Sequence, residues 1–293
     1  MTTVLHSELD ASVNFVKETQ SGMFESRFVQ RSDDYFICYL SSHAGCNKAC
    51  RFCFLTQTGQ TSMQEATASD LHEQAVHVLM HYATKPTARK VHFNFMARGE
   101  PFASKIIRHD WRGIYDDLSE MAAFRFNLDY RFNISTILPP EFMAGIWLDQ
   151  IRLGDEDKHR IYYSLYSTEE RFRRRWLPRA APVDHAIKQL QILADNDIDI
   201  ALHHTFIDGE NDSVDDVNRF IEVVLKSGLT PKFNLVRYNP YSPAQGKESP
   251  EEILQRNFEM INTAFGREDS HIVPRVGFDV KASCGMFVER DEI

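Results

Sequence analysis

Short apolar runs alternate with amphipathic segments along most of this 293-residue chain. After residue 35 the apolar runs are typical of strands, and most are followed by apolar residues at helical spacing. The predicted strands are Tyr35–Ser41, Val91–Phe95, Phe132–Thr136, Ile161–Ser167, Ile200–Ile207 and Lys232–Tyr238. The predicted helices include Ser69–Tyr82, Tyr115–Phe126, Val183–Ala194 and Val214–Ser227. Repeated strand–helix units predict an α/β fold with a parallel sheet, because parallel neighbours need crossover helices.

Six such units predict a partial, TIM-like (β/α)6 barrel, which we assign to residues 35–293 as one domain. Residues 13–31 differ, because polar and apolar residues alternate there around a Ser-Gly turn. We interpret this segment as a β-hairpin within an N-terminal extension, residues 1–34. In a (β/α) barrel the chemistry collects at the carboxyl ends of the strands. The side chains just after each strand are therefore the candidate site.

Composition narrows the class of protein. Hydrophobic residues make up 43% of the chain, enough for a sizeable core, and no run of about 18 apolar residues predicts a membrane span. The formal net charge of −9 argues against a large basic surface for nucleic acid, but not against a local one. The densest positive cluster, Arg171–Trp176, is either a solvated helix face or a phosphate contact. Five cysteines, three of them at ligand spacing, and no visible signal peptide predict a cytoplasmic protein.

The spacing of three cysteines predicts a metal cluster. Cys46, Cys50 and Cys53 form a CxxxCxxC motif in the loop after the first barrel strand. A structural zinc site needs four ligands, whereas a 4Fe–4S cluster held by three thiolates leaves one iron open. Phe52 would shield such a cluster from solvent. The alternative is a zinc knuckle with His43 or another cysteine as the fourth ligand.

A second motif follows the next strand. Residues 97–101 read Ala-Arg-Gly-Glu-Pro, with Gly99 where backbone can approach a ligand and Glu100 where a carboxylate can accept from an ammonium group. Such a turn is a weak signal alone, but it becomes specific after an apolar strand and a CxxxCxxC loop. His203 and His204 do not predict a second metal site, because adjacent strand residues point to opposite faces.

Seven segments in order along the chain resemble motifs of the radical-SAM superfamily, and more closely the adenine methyl synthases of the RlmN/Cfr type. They are CNKACRFCF, FMARGEP, NISTILPP, YYSLYS, FIDGENDS, FNLVRYNPY and DVKASCGM. The resemblance covers nearly the whole chain from about residue 13. It implies a 4Fe–4S cluster on the three cysteines of the CxxxCxxC motif. It also implies contacts to S-adenosyl-L-methionine (SAM) from Gly99, Glu100, Ser135, Ser164, Leu165, Tyr166 and Asn239.

The same resemblance implies catalytic roles for two further cysteines and a glutamate. Cys284 matches the family's methyl-carrying cysteine, which takes a methyl group from SAM. Cys38 matches the second reactive cysteine, which would form a transient disulfide with Cys284 and release the product. It lies eight residues before Cys46, where the family spacing is seven. Glu25 matches a general base in the hairpin that removes the proton of the adenine ring.

The implied activity is that of a methyltransferase that modifies an adenine ring carbon of rRNA or tRNA, carbon 2 in preference to carbon 8. A radical-SAM enzyme with a non-RNA substrate and a non-catalytic iron–sulfur or zinc protein are the alternatives. Family members carry a helical accessory domain before the hairpin, where this sequence has about a dozen residues, so the ribosomal substrate stays open. Arg98 stands where the family motif has a small residue, and Tyr166 stands where the family usually has a histidine. We expect an RNA partner, an electron donor such as flavodoxin, no membrane association and a monomer.

Overall fold

The structure, a computed structural model, describes residues 2–151 and 158–293. Its ten described strands form one sheet, in which each strand pairs with its neighbours along the chain. The first four strands pair antiparallel: β1 (Thr2–His6), β2 (Val13–Glu18), β3 (Met23–Gln30) and β4 (Tyr35–Tyr39). The others continue from β4 in parallel: β5 (Lys90–Phe95), β6 (Asp129–Thr136), β7 (His159–Ser164), β8 (Asp199–His204), β9 (Lys232–Val236) and β10 (His271–Val273).

Helices connect the parallel strands, as the sequence pattern predicts. The described helices are α1 (Phe54–Gln57), α2 (Ala68–Thr84), α3 (Lys105–His109), α4 (Trp111–Glu120), α5 (Ala144–Ile151), α6 (Glu170–Trp176), α7 (Val183–Ala194), α8 (Val214–Lys226) and α9 (Glu251–Phe265). A π-helical turn, Met121–Arg125, extends α4. In the part of the chain that the structure describes, no helix combines the length and the apolar character that crossing a membrane requires.

The strands curl around a central cavity, which confirms the predicted partial barrel. One face of strands β3 to β10 lines the cavity, and the other face packs against the helices in the main apolar core. Alternation along β5 shows the division, because His92 and Asn94 line the cavity while Val91, Phe93 and Phe95 are buried on the helix side. The barrel interior is therefore polar, and the fold is stabilised mainly by the apolar layer between sheet and helices.

The structure contains two short strands, β1 and β10, that the sequence pattern does not predict. β1 is an edge strand of partly exposed residues, and β10 has only three residues, so neither shows the alternation that identifies a strand. The predicted strand Ile161–Ser167 also ends earlier, at Ser164. Tyr166 lies beyond that end, with a positive φ of 54° that turns the chain away from the sheet.

The last segment, residues 274–293, covers the inner side of the hairpin and the first barrel strand. Val280 and Ala282 pack against Val29 of β3 and Ile37 of β4. Asn14 of β2 donates through Nδ2 to the Val280 carbonyl at 3.0 Å. These contacts carry the following residues to the cavity in the barrel.

Candidate functional site

The cysteines of the CxxxCxxC motif lie together in the loop between β4 and α1. All three are partly buried free thiols. The loop turns through a positive φ of 57° at Ala49, and the Cys53 amide donates to the Cys50 carbonyl at 3.1 Å. The Cys46 amide donates to the carbonyl of Gln60 at 3.0 Å. Backbone hydrogen bonds therefore hold this loop in its turn.

The surroundings of the three thiols fit a metal cluster. Burial raises the pKa of Cys46 to about 12 and that of Cys53 to about 11, and the Cys50 pKa lies well above its usual value. The other two cysteines add to the effect of burial at Cys50, so the three sulfur atoms are within electrostatic range of one another. Positive charge from a cluster would stabilise the three thiolates. The donor set thus suits an iron–sulfur cluster with three protein ligands.

His43, the fourth ligand of the zinc alternative, is engaged elsewhere. Its ring is buried, Nδ1 lies 2.9 Å from the Ser42 hydroxyl, and burial lowers its pKa to about 4. A Cβ atom added to Gly99 would lie 2.6 Å from the same nitrogen, so His43 packs against the turn at Gly99. Within residues 2–151 and 158–293, no group of three or more His, Cys, Asp and Glu side chains has an arrangement that could hold a single metal ion.

Gly99 is required by packing inside the protein. Its φ is 101°, and an added Cβ would approach the Ser42 hydroxyl to 2.4 Å and the His43 amide nitrogen to 2.8 Å. Residues other than glycine rarely adopt this conformation. The backbone at His43 also leaves no room for a Cβ atom at position 99. The sequence alone predicts that the Gly99 backbone approaches a ligand. In the structure it closely approaches Ser42 and His43, which precede the cysteine loop.

Glu100 places a buried carboxylate beside the cysteine loop. It accepts from the Thr136 hydroxyl at 2.6 Å, the Ile137 amide at 3.0 Å and the Phe102 amide at 3.1 Å. Burial raises its pKa, against the effect of these hydrogen bonds. A carboxylate offers about four acceptor positions, so Glu100 has one left for a ligand donor such as an ammonium group.

The barrel cavity has a volume of about 230 Å³, and Tyr166 in its lining contacts Phe52 of the cysteine loop. Ser135, Ser164 and Tyr166, which are predicted to bind SAM, line it together with Cys284. The Tyr166 ring also meets Phe52 edge-on, with ring centroids 4.9 Å apart. The structure therefore brings these predicted residues and the cysteine loop into one site.

Asn211 determines the position of Tyr166 and is not singled out by the sequence analysis. Its Nδ2 donates to the carbonyls of Tyr166 at 2.8 Å and Thr205 at 2.9 Å, and its Oδ1 accepts from the Ile207 amide at 2.8 Å. A non-glycine residue at positive φ persists only when the surrounding structure determines it. The signal for Asn211 in the sequence is the segment FIDGENDS.

Cys284 lies at the cavity and is tied to the cysteine loop. Asn239 donates through Nδ2 to the Cys284 carbonyl at 2.9 Å, and the Phe54 amide donates to the Gly285 carbonyl at 3.0 Å. Cys284 is solvent-exposed through the cavity, yet the protein atoms around its sulfur raise the pKa of the thiol. Leu165, in contrast, is buried in the helix-side core and does not line the cavity.

Cys38 does not face Cys284. Its neighbours Ile37 and Tyr39 line the cavity, whereas Cys38 is fully buried on the opposite face of β4 in the helix-side core. Burial there raises the pKa of its thiol. Tyr39 is the residue seven positions before Cys46, and its side chain reaches the cavity. The structure thus does not support the predicted pairing of Cys38 with Cys284.

Glu25 is the centre of a buried ion-pair network and does not line the cavity. It accepts from Asn14 Nδ2 at 2.9 Å, Arg27 Nη2 at 2.6 Å, Arg98 Nε at 2.7 Å and the Val288 amide at 3.0 Å. Burial opposes its ionisation, but Arg27 and Arg98 outweigh burial and lower its pKa. A general base needs a pKa near the working pH and access to the substrate proton. This environment does not favour the role of Glu25 as a base, which stays a prediction.

The arginine cluster on α6 is largely internal or paired. Arg173 is buried and donates to the carbonyls of Leu165 at 2.8 Å and Ala181 at 2.7 Å. Arg174 pairs with Glu170 on the same helix, and Arg175 pairs with Glu210. These contacts favour a helix face with its own ion pairs over a phosphate contact.

Comparison with known proteins relates the chain to RNA methyltransferases. No protein-family model matches it. The dual-specificity RNA methyltransferase RlmN of Aliarcobacter butzleri is 23% identical over 274 residues, which cover 90% of this chain and 69% of the relative. The RlmN of Helicobacter hepaticus is 25% identical over 304 residues, with coverage of 98% and 77%.

Two solved structures show the same fold. A radical SAM methyltransferase from Sphaerobacter thermophilus matches with a TM-score of 0.77 at 18% identity, covering 97% of this chain and 80% of that one. Streptococcus suis SuiB bound to S-adenosylmethionine matches with a TM-score of 0.58 at 13% identity, covering 84% and 52%. The resemblance inferred from the motifs is thus confirmed: over most of its length the chain is similar to relatives named as RlmN RNA methyltransferases, and it has the fold of a radical SAM methyltransferase.

Proposed function

We propose that this protein is a radical-SAM methyltransferase that methylates an adenine ring carbon of RNA, with Cys284 as the carrier of the methyl group. The observation that carries the proposal is the position of Cys284. It lines the same cavity as Ser164 and Tyr166, and the carbonyl of the next residue, Gly285, accepts from the Phe54 amide beside Cys53 at 3.0 Å. The names of the relatives as RNA methyltransferases support RNA as the substrate.

In this proposal the cysteine loop holds a 4Fe–4S cluster and the adjoining cavity holds SAM. Cys46, Cys50 and Cys53 are the three ligands, and one iron stays open for SAM. When bound, the cluster and SAM supply reductive radical chemistry, which an adenine ring carbon requires because it is a poor nucleophile. Glu100 has a free acceptor position for the SAM ammonium group, and Ser135 lines the cavity.

Cys284 first accepts a methyl group from SAM. Its sulfur forms a bond to the methyl carbon as the bond from that carbon to the sulfonium breaks, which leaves S-adenosylhomocysteine and releases the thiol proton. Asn239 holds the Cys284 carbonyl, so it positions the residue for this step. Cys38 takes no part in the proposal, because its thiol lies on the helix side of β4. The target is carbon 2 of adenine in preference to carbon 8, on the resemblance of the motifs.

The test is the intact mass of the protein after anaerobic reconstitution with iron and sulfide and incubation with SAM. We expect one added methyl group, localised to Cys284 by peptide mapping and absent from a Cys284→Ser variant. Cys38→Ala is the matched control, because this cysteine lies away from the cavity, and it should be methylated like the wild type. SAM cleavage without methylation of Cys284 would contradict the proposed route.

The RNA substrate is tested separately by mass spectrometry of nucleosides from cellular RNA with and without the protein. Methyladenosine that depends on the protein is the expected result, and its chromatographic identity distinguishes carbon 2 from carbon 8. Methylation of Cys284 without any modified nucleoside would favour the alternative, a radical-SAM enzyme that acts on a non-RNA substrate.

A further inference from the structure

The wall of the barrel cavity is positively charged. Arg27, Arg31, Arg160 and Lys232 line it, and among the described residues no aspartate or glutamate does. The chain as a whole has a formal net charge of −9, so this wall is opposite in sign to the rest of the protein. His203 adds no charge of its own, because burial together with nearby cations lowers its pKa to about 3.

Three of the four cations share their carboxylate partners with other cations. Glu25 pairs with Arg27 of the wall and also with Arg98, which lies outside the wall. Asp269 pairs with both Arg160 at 3.2 Å and Lys232 at 3.7 Å. Burial, followed by the charge of Arg160, lowers the pKa of Lys232 to about 8. The wall therefore carries more positive charge than the carboxylates behind it neutralise.

Arg31 is the cation of the wall that has no carboxylate partner among the described residues. Across the described parts of the chain, the ion pairs account for the other three but not for Arg31, and its buried Nε has no hydrogen-bond partner. Its Nη2 donates to the Tyr39 hydroxyl at 3.2 Å. Arg31, Arg27 and Cys284 line the same cavity, and both guanidinium groups are near enough for their charges to lower the pKa of the Cys284 thiol, against the larger effect of burial.

We propose that Arg31, with Arg27 and the Tyr39 hydroxyl, binds the phosphate group of the substrate nucleotide beside Cys284. This inference rests on the proposed function. A guanidinium presents parallel N–H groups that match two phosphate oxygens, and the buried Nε is one such donor without a partner. The Tyr39 hydroxyl accepts from Arg31, so its own proton is free to donate to the same anion.

The chemistry of the substrate supplies the anion. An enzyme that modifies a base of RNA takes the nucleotide out of its stack and admits the base to a closed pocket, and a phosphate follows the base to the pocket. Tyr39 occupies the position that the family spacing assigns to the second reactive cysteine. This chain therefore has a polar hydroxyl beside Arg31, where the resemblance predicts a thiol.

The test measures binding of adenosine 5′-monophosphate and of adenosine to the reconstituted protein by isothermal titration calorimetry. We expect the wild type to prefer the monophosphate, and Arg31→Gln to weaken its binding by roughly tenfold or more while adenosine binding stays unchanged. The affinity of Arg31→Lys for the monophosphate should lie between those of the wild type and Arg31→Gln, because lysine keeps the charge but loses the paired donors. The matched control is Arg171→Gln, an exposed arginine on α6 outside the cavity wall, which should have no effect.

Equal affinity of wild type and Arg31→Gln for the monophosphate, or no preference of the wild type for it over adenosine, would overturn the inference. Weaker SAM binding by Arg31→Gln, with unchanged monophosphate binding, would assign Arg31 to the SAM carboxylate and would also overturn it. Transfer of the methyl group from SAM to Cys284 needs no nucleotide. Its failure in wild-type protein that still binds the monophosphate would therefore contradict the proposed function and leave the phosphate site intact.

Discussion

Replacement of Glu25 distinguishes a structural carboxylate from a catalytic base. The side chain is fully buried and is the shared counter-ion of Arg27 and Arg98. Glu25→Gln keeps the shape but removes the charge, so two buried guanidinium groups lose their carboxylate. Breaking a buried ion pair from one side costs about 3–5 kcal/mol. We expect the free energy of unfolding to fall by about that amount.

Thermal or urea unfolding followed by circular dichroism measures the loss. One kcal/mol corresponds to roughly 2–4 °C in a protein somewhat smaller than this one, so we expect Tm to fall by about 6–20 °C. The pH dependence has a definite sign. Because the folded-state pKa of Glu25 is lowered from its usual 4.5, its stabilisation is complete above that pH and is lost as the pH falls toward the lowered value. The difference between wild type and variant should therefore be full at neutral pH and shrink in acid.

Glu222→Gln is the control, because Glu222 forms an exposed pair with Lys226 on α8 and its loss should leave stability unchanged. The opposite pattern would refute the structural role. If Glu25→Gln unfolds like the wild type but no longer methylates RNA, the carboxylate acts in the reaction and the general-base assignment is supported.

Two further substitutions test the geometry of the site. Cys38→Ala should release product without a lasting covalent protein–RNA adduct, because the thiol lies on the helix side of β4; an adduct in the intact-mass spectrum would show that it reaches Cys284. Gly99→Ala should lower the free energy of unfolding by roughly 2 kcal/mol or more, because the added Cβ strains a φ of 101° and meets the His43 amide nitrogen at 2.8 Å. Gly145→Ala is its control, because position 145 lies on α5 and an added Cβ there meets no atom within 4 Å. If Gly99→Ala had the same Tm as this control, the packing argument would be contradicted.

The sequence predicts most of the barrel because its strands and helices have strong local patterns. Helix α7 has its predicted bounds, Val183–Ala194, since apolar residues recur at helical spacing between a proline and a polar turn. β10 escapes prediction because three residues carry no readable period, and it forms only by pairing with β9. Local pattern thus identifies elements that could form alone, and tertiary pairing adds the short ones.

The cysteine loop and Cys284 are identified by the sequence alone, because their motifs are local and specific. What only the tertiary structure decided is the environment of the other two predicted catalytic residues. A shift of one residue along a strand reverses the face, so the extra residue between Cys38 and Cys46 places Tyr39 at the cavity and Cys38 among the helices. The charge state of Glu25 depends on partners as distant along the chain as Arg98 and Val288. Such contacts leave no local pattern, because they arise only when the barrel closes around them.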